Sequence, residues 1–253
     1  MSKTIKTGFI SDKINGIKVN AALKCDSDNF NNMSSRKVSY IVMHYTGNKK
    51  DTAKANANYF ASPDRGASAH LFVDDTSIYQ SVELRDIAWH CGTRGTYYHS
   101  KCRNSNSIGI EMCCTAGDYK ISDITIKNSA YLCAYLCKAI GIKAKDVDKY
   151  VLRHYDITHK ICPAQMVNEP KEWKEFKQMV KNILENKKVD GTIDSYLVKI
   201  ISNTSVHVEA DKKSKVSTKV KKNEVFTIVD EKDGWGKLKS GAGWIYLKRT
   251  KKI

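Results

Sequence analysis

The chain has 253 residues, with 41% hydrophobic and 28% charged, a balance that supports a packed core and excludes a disordered or collagen-like chain. Its formal charge of +16 favours an anionic partner such as nucleic acid, a membrane surface or an anionic polymer. The basic residues are dispersed, no helix-turn-helix, RNA-recognition motif or zinc-finger spacing accompanies them, and no run approaches the ~20 apolar residues of a membrane span. The expectation is therefore no nucleic acid, no membrane insertion, and weak attraction to an anionic polymer.

Residues 1–36 are polar and show no clear period. The start, Met1-Ser2-Lys3-Thr4-Ile5-Lys6-Thr7, lacks the apolar core of a signal peptide. Synthesis in the cytoplasm with reduced thiols is expected, with any extracellular role reached by another route of release. The run Val38-Ser39-Tyr40-Ile41-Val42-Met43-His44 alternates and is rich in β-branched and aromatic residues, so it predicts a strand with His44 near its end. Residues 52–61 are helix formers that stop before Ser62-Pro63-Asp64. Residues 68–73 and 78–82 flank Asp74-Asp75-Thr76-Ser77 as a hairpin, and Ala88-Trp89-His90-Cys91-Gly92 opens a loop reaching Asn106.

Ser107-Ile108-Gly109-Ile110-Glu111-Met112 predicts another strand, with Glu111 at its far end. Residues 123–140 predict a helix in which Ala130, Cys133, Cys137 and Ile140 share one buried face and Gly141 supplies the stop. Val151-Leu152 is a short strand leading to His154. Pro170 begins a helix whose stripe is Trp173, Phe176, Val180, Ile183 and Leu184. Strands alternating with helices imply an α/β domain, a mixed central sheet flanked by helices. Beyond residue 193 the texture changes to short β-rich runs separated by turns such as Lys232-Asp233-Gly234, which predicts a small all-β barrel. The boundaries expected are 1–187 for the first domain, 188–193 for a linker and 194–253 for the barrel.

Arg153-His154-Tyr155-Asp156-Ile157-Thr158-His159-Lys160-Ile161-Cys162-Pro163-Ala164 holds the densest chemistry. His154 and Cys162 lie eight apart, and imidazole and thiolate are ligands that zinc prefers. A catalytic zinc keeps three protein ligands and an open fourth position, so a third donor must come from elsewhere; His44 is the best candidate. His159 is a rival by spacing. None of the eight cysteines forms a C-x-x-C pair, which argues against a structural zinc knuckle.

His44-Tyr45-Thr46, Ser107-Ile108-Gly109-Ile110-Glu111, and the stretch from Arg153 to Ala164 together resemble the zinc-dependent N-acetylmuramoyl-L-alanine amidases of the phage-lysozyme and peptidoglycan-recognition-protein type. The likeness spans about residues 36–185 and is nearest to phage endolysins of Gram-positive hosts. It implies one Zn2+ held by His44, His154 and Cys162, with Glu111 as general base and Lys160 as the charge that stabilises the oxyanion. It implies peptidoglycan as substrate, cut between muramic acid and L-alanine. Relatives that use a hairpin tyrosine would place it at Ala69, which cannot do that work, so Glu111 is the more necessary here.

His90, Trp89 and His70 are candidates for the substrate groove, each against a plain core role. Asp233-Gly234-Trp235-Gly236-Lys237-Leu238 and Gly243-Trp244-Ile245 are similar to bacterial SH3-like wall-binding domains, though Val206-His207-Val208-Glu209 stands where these read Leu-Asn-Val-Arg. Trp235, Trp244 and Tyr246, with Tyr196, are the candidate wall-binding aromatics, of which at least two are expected to be core. The alternatives to a phage lysin are a non-catalytic peptidoglycan sensor and a host autolysin. The cysteine ligand, which such sensors typically lack, favours an enzyme.

Overall fold

The computed structural model describes residues 3–6, 8–92, 95–187 and 195–253. The chain divides into two compact units, residues 1–187 and 188–253. The expected linker, residues 188–193, lies outside the described residues.

The first unit begins with five short strands, β1 (Lys3–Ile5), β2 (Lys13–Ile14), β3 (Ile17–Asn20), β4 (Phe30–Asn31) and β5 (Arg36–Val38). No period is visible there in the sequence because strands of two to four residues with Lys and Asn between the apolar positions are too short to show one. Then follow β6 (Tyr40–Tyr45), α1 (Ala53–Phe60), β7 (Leu71–Val73), β8 (Ile78–Gln80), β9 (Ile87–Ala88) and β10 (Ser107–Met112). The remainder is α2 (Asp123–Ile140), α3 (Val147–Tyr150), β11 (Val151–Arg153), α4 (Tyr155–Thr158), α5 (Ala164–Asn168) and α6 (Pro170–Leu184).

Seven strands make a mixed sheet in the order β11-β6-β10-β7-β8-β3-β2. β11, β6, β10 and β7 run parallel to their neighbours, and β7 turns back into β8. Alternation along β7 separates two cores. Leu71 and Val73 join the main core with α2 and α6, whereas Phe72 packs with Ala53 and Ala57 of α1. The sheet is thus covered on both faces, as parallel strands require.

α2 starts where Ser122 accepts a hydrogen bond from Thr125 N–H (3.1 Å), a cap whose loss costs about 1 kcal/mol. It ends at Gly141, whose φ of 81° lets Ile142 N–H reach back to the Cys137 carbonyl (2.8 Å). α6 lays Trp173, Phe176 and Val180 against the main core. Truncating Phe176, fully buried, would cost about 3–5 kcal/mol. Cys133 and Cys137 are buried free thiols acting as small hydrophobes.

The second unit is seven antiparallel strands: β12 (Tyr196–Ile200), β13 (Thr204–His207), β14 (Val216–Val220), β15 (Val225–Lys232), β16 (Trp235–Leu238), β17 (Trp244–Tyr246) and β18 (Thr250–Lys252). They pair in the order β14-β13-β17-β16-β15-β12-β18. Val198, Ile200, Val206, Val220, Ile228, Leu238 and Ile245 form a core of its own. Among the described residues no helix is long and apolar enough to cross a membrane.

Candidate metal centre

Parallel pairing sets Glu111 of β10 directly beside His44 of β6. On the other side of β6, Arg153 of β11 lies opposite Met43. His154 comes one residue later, and its N–H donates to the Met43 carbonyl (3.2 Å). Three adjacent strands therefore deliver His154, His44 and Glu111 to one carboxyl edge, where open α/β sheets bind their ligands.

Cys162 reaches the same edge from a loop. Tyr155 N–H donates to the Cys162 carbonyl (3.0 Å) and closes the turn that brings His154 and Cys162 together. Arg153 braces this turn: its guanidinium meets Asp156 at 2.7 Å and the Met166 carbonyl at 3.0 Å. The backbone N–H of Arg153 also donates to Asp156 Oδ2 (2.8 Å).

Candidate donor atoms of His44, His154 and Cys162 all lie within 4.8 Å of one another, and all three residues are buried. Cys162 Sγ is 3.7 Å from His44 Nδ1. Both ring nitrogens of His154 are buried without a hydrogen-bond partner. Buried polar atoms are rarely left in that state, and a metal ion would satisfy one of them. Two imidazoles and a thiol suit a divalent ion of borderline softness, and three protein donors leave room for a further ligand. His44, His154 and Cys162 fit such an ion.

The electrostatics agree. Burial, with His90, His154 and Lys160 nearby, holds His44 well below the usual histidine range. Burial and Lys160 bring His154 down to about 4. Both rings are thus neutral, the state a metal requires. Burial, reinforced by Glu111, pushes the Cys162 thiol up to about 12, so a metal binding thiolate would release its proton. Burial raises Glu111 to about 8, opposed by Lys160 and aided by Asp51. Glu111 Oε2 is buried and has no hydrogen-bond partner.

A family profile described as N-acetylmuramoyl-L-alanine amidase matches residues 34–165, a segment that contains all four of these residues. The chain belongs to the N-acetylmuramoyl-L-alanine amidase family. The amidase CwlL of Bacillus licheniformis is 34% identical over 163 residues, covering 61% of this chain and 44% of that protein. The amidase BlyA of Bacillus subtilis is 32% identical over 163 residues, covering 60% and 43%. The chain thus spans less than half the length of these curated relatives. The solved catalytic domain of XlyA superposes with a TM-score of 0.54 at 28% identity, covering 65% of this chain and 99% of that domain.

Within this amidase-family fold the remaining expected site residues separate. Lys160 is exposed, yet its charge acts on His44, His154, Cys162 and Glu111. His159, the rival ligand, has a φ of 60° and stacks on Tyr98 (3.5 Å between centroids) and Tyr155 (5.3 Å); its ring belongs to an aromatic stack. His70 is corrected from groove to core. It is fully buried, its Nδ1 accepts from Gly109 N–H (3.0 Å), and its Nε2 faces Arg36 (2.8 Å) and the Asp86 carbonyl (3.1 Å). His90 is 8% exposed and its ring lies against His44, with Nδ1 3.0 Å from His44 Nε2. Trp89 is half-buried and donates its indole N–H to Asn31 Oδ1 (2.6 Å).

In the second unit Trp235 and Trp244 are 6% and 9% exposed, which removes them from an exposed wall-binding face. Tyr246 and Tyr196 are half-buried, with Lys212 and Lys252 over their rings at 5.0 and 4.0 Å. Sequence reasoning missed Ser107, which meets the His90 ring. Its place at the head of the Ser107-to-Glu111 motif was the available signal.

Proposed function

We propose that the protein hydrolyses peptidoglycan at the amide between the lactyl group of N-acetylmuramic acid and L-alanine of the stem peptide, as a phage or prophage endolysin. The observation that carries this reading is the buried His44, His154 and Cys162 cluster with Glu111 in register beside His44. These three donors would hold one Zn2+. When bound, that ion supplies Lewis acidity toward the scissile carbonyl and toward water.

The chain's own residues supply the rest. Glu111 Oε2, free of other partners, takes the proton of the attacking water and returns it to the leaving amine nitrogen. Its burial makes the carboxylate a stronger base, and a dication beside it favours the ionised form. Lys160 offers a positive charge to the oxyanion that forms at the carbonyl.

The second unit would tether the enzyme to the wall and raise its local concentration there. Dispersed positive charge adds a salt-screened attraction to anionic wall polymers. Mass spectrometry of muropeptides after digestion tests the reaction. The expected products are glycan strands whose N-acetylmuramic acid residues carry a free lactyl carboxylate, and peptides beginning with L-alanine. Intact lactyl amides after prolonged digestion with zinc-loaded protein would refute it and favour a sensor.

A further inference from the structure

His90 is buried beside a metal-ligand candidate, and its two ring nitrogens both have partners. Its Nδ1 lies 3.0 Å from His44 Nε2, and its Nε2 lies 3.2 Å from Ser107 Oγ. Ser107 Oγ also donates to the Arg103 carbonyl (2.7 Å). A hydroxyl has one proton, so Ser107, having given it to Arg103, must accept from His90 Nε2–H. With one proton per ring, His90 Nδ1 is then an acceptor and takes a hydrogen bond from His44 Nε2–H. That leaves the lone pair of His44 Nδ1 bare, on the side where Cys162 Sγ lies 3.7 Å away.

The slot for His90 is built for it. A Cβ on Gly109 would fall 2.5 Å from His90 Cγ, so only glycine leaves space for the ring. Gly109 is itself fixed by its N–H bond to His70 Nδ1 (3.0 Å). The Arg36 guanidinium, against His70, donates to the carbonyls of Leu84 (2.9 Å) and Ser107 (2.7 Å). His90 thus lies directly behind His44, and His70 packs edge-on against His90 (5.6 Å between centroids).

We propose that His90 is a positioning residue that, through Ser107, fixes the tautomer of His44 and aims Nδ1 at the metal. The proposal rests on the metal reading above. Outer partners of ligating histidines commonly change metal affinity by about 10- to 100-fold.

The test compares zinc affinity, by competition with a chromophoric chelator, in wild type, His90→Ala, His90→Asn and Ser107→Ala. Asparagine can place its Oδ1 where His90 Nδ1 stands and so accept from His44. His90→Ala is expected to weaken zinc by about 10- to 100-fold, His90→Asn to recover most of that, and Ser107→Ala to fall between. Unchanged affinity in His90→Ala, or equal loss in His90→Asn with native circular dichroism, would overturn the proposal. If His90→Ala does not fold, the tautomer is read directly in metal-free wild type by long-range 15N correlation. A proton on His44 Nε2 is expected, and one on Nδ1 overturns the proposal whether or not metal binds. Failure of the metal reading would instead appear as no zinc uptake by wild type.

Discussion

The two units treat polar groups in opposite ways. Among the described residues, every buried polar or charged side chain outside the hydrophobic core set, from Asn29 to His154, belongs to the first unit. The second unit buries apolar side chains and the two tryptophans, and keeps its lysines outside. Chemistry that needs dry donors and a raised carboxylate can reside in the first. What the second contributes must act through its surface. Damage to the first should therefore abolish the reaction, and damage to the second should change only where the reaction happens.

The largest effect is expected from Glu111→Gln. It should keep zinc and lower kcat on soluble muropeptides by about 10²–10⁴-fold, the usual range for a lost general base. A rate within twofold of wild type would remove Glu111 from the proton path. Lys160→Met should cost somewhat less, about 10²-fold, because its exposed charge is partly screened by solvent before substrate covers it. The loss should fall on kcat more than on KM, and a pure KM effect would make Lys160 a docking residue.

Deleting residues 190–253 sharpens the contrast from the other side. The first unit has its own core, so the truncated chain should hydrolyse small soluble muropeptides at the full rate. Lysis of intact walls should drop by roughly tenfold or more as the tether is lost. Equal lysis by both forms would end the division of labour.

Much of this contrast was legible in the residues themselves. Ser107–Met112 and Asp123–Ile140 were readable end to end because a full strand or helix period fits within them. His44, His154 and Cys162 could be grouped because their donor chemistry matches, although their sequence distances do not show that they meet. The direction in which His90 and His70 point was not legible. Whether a loop histidine lines a groove or backs a ligand depends on partners such as Ser107 and Arg36, which are common residue types without a spacing rule. The roles of Trp235 and Trp244 were ambiguous for a related reason, since a small all-β unit needs aromatic core as much as aromatic surface.

A smaller effect separates electrostatic cost from catalysis. In metal-free protein, folded Glu111 keeps its proton up to about pH 8, whereas an unfolded glutamate loses it near its ordinary value of 4.5. The folded state binds more protons between those values, so stability falls as pH rises through that window. Glu111→Gln should raise the melting temperature of the metal-free protein by roughly 5 °C at pH 9 and have little effect below pH 4. An equal shift at both pH values would mean that the substitution acts through packing alone.

His44, His154 and Cys162, distant along the chain, are proposed to share one ion. Elemental analysis of purified wild type beside Cys162→Ala, after dialysis against a weak chelator, tests it most directly. About one zinc per chain is expected in wild type and almost none in the variant, which would leave two ligands of the three. Equal zinc in both proteins, or no zinc in either after reconstitution, would contradict it.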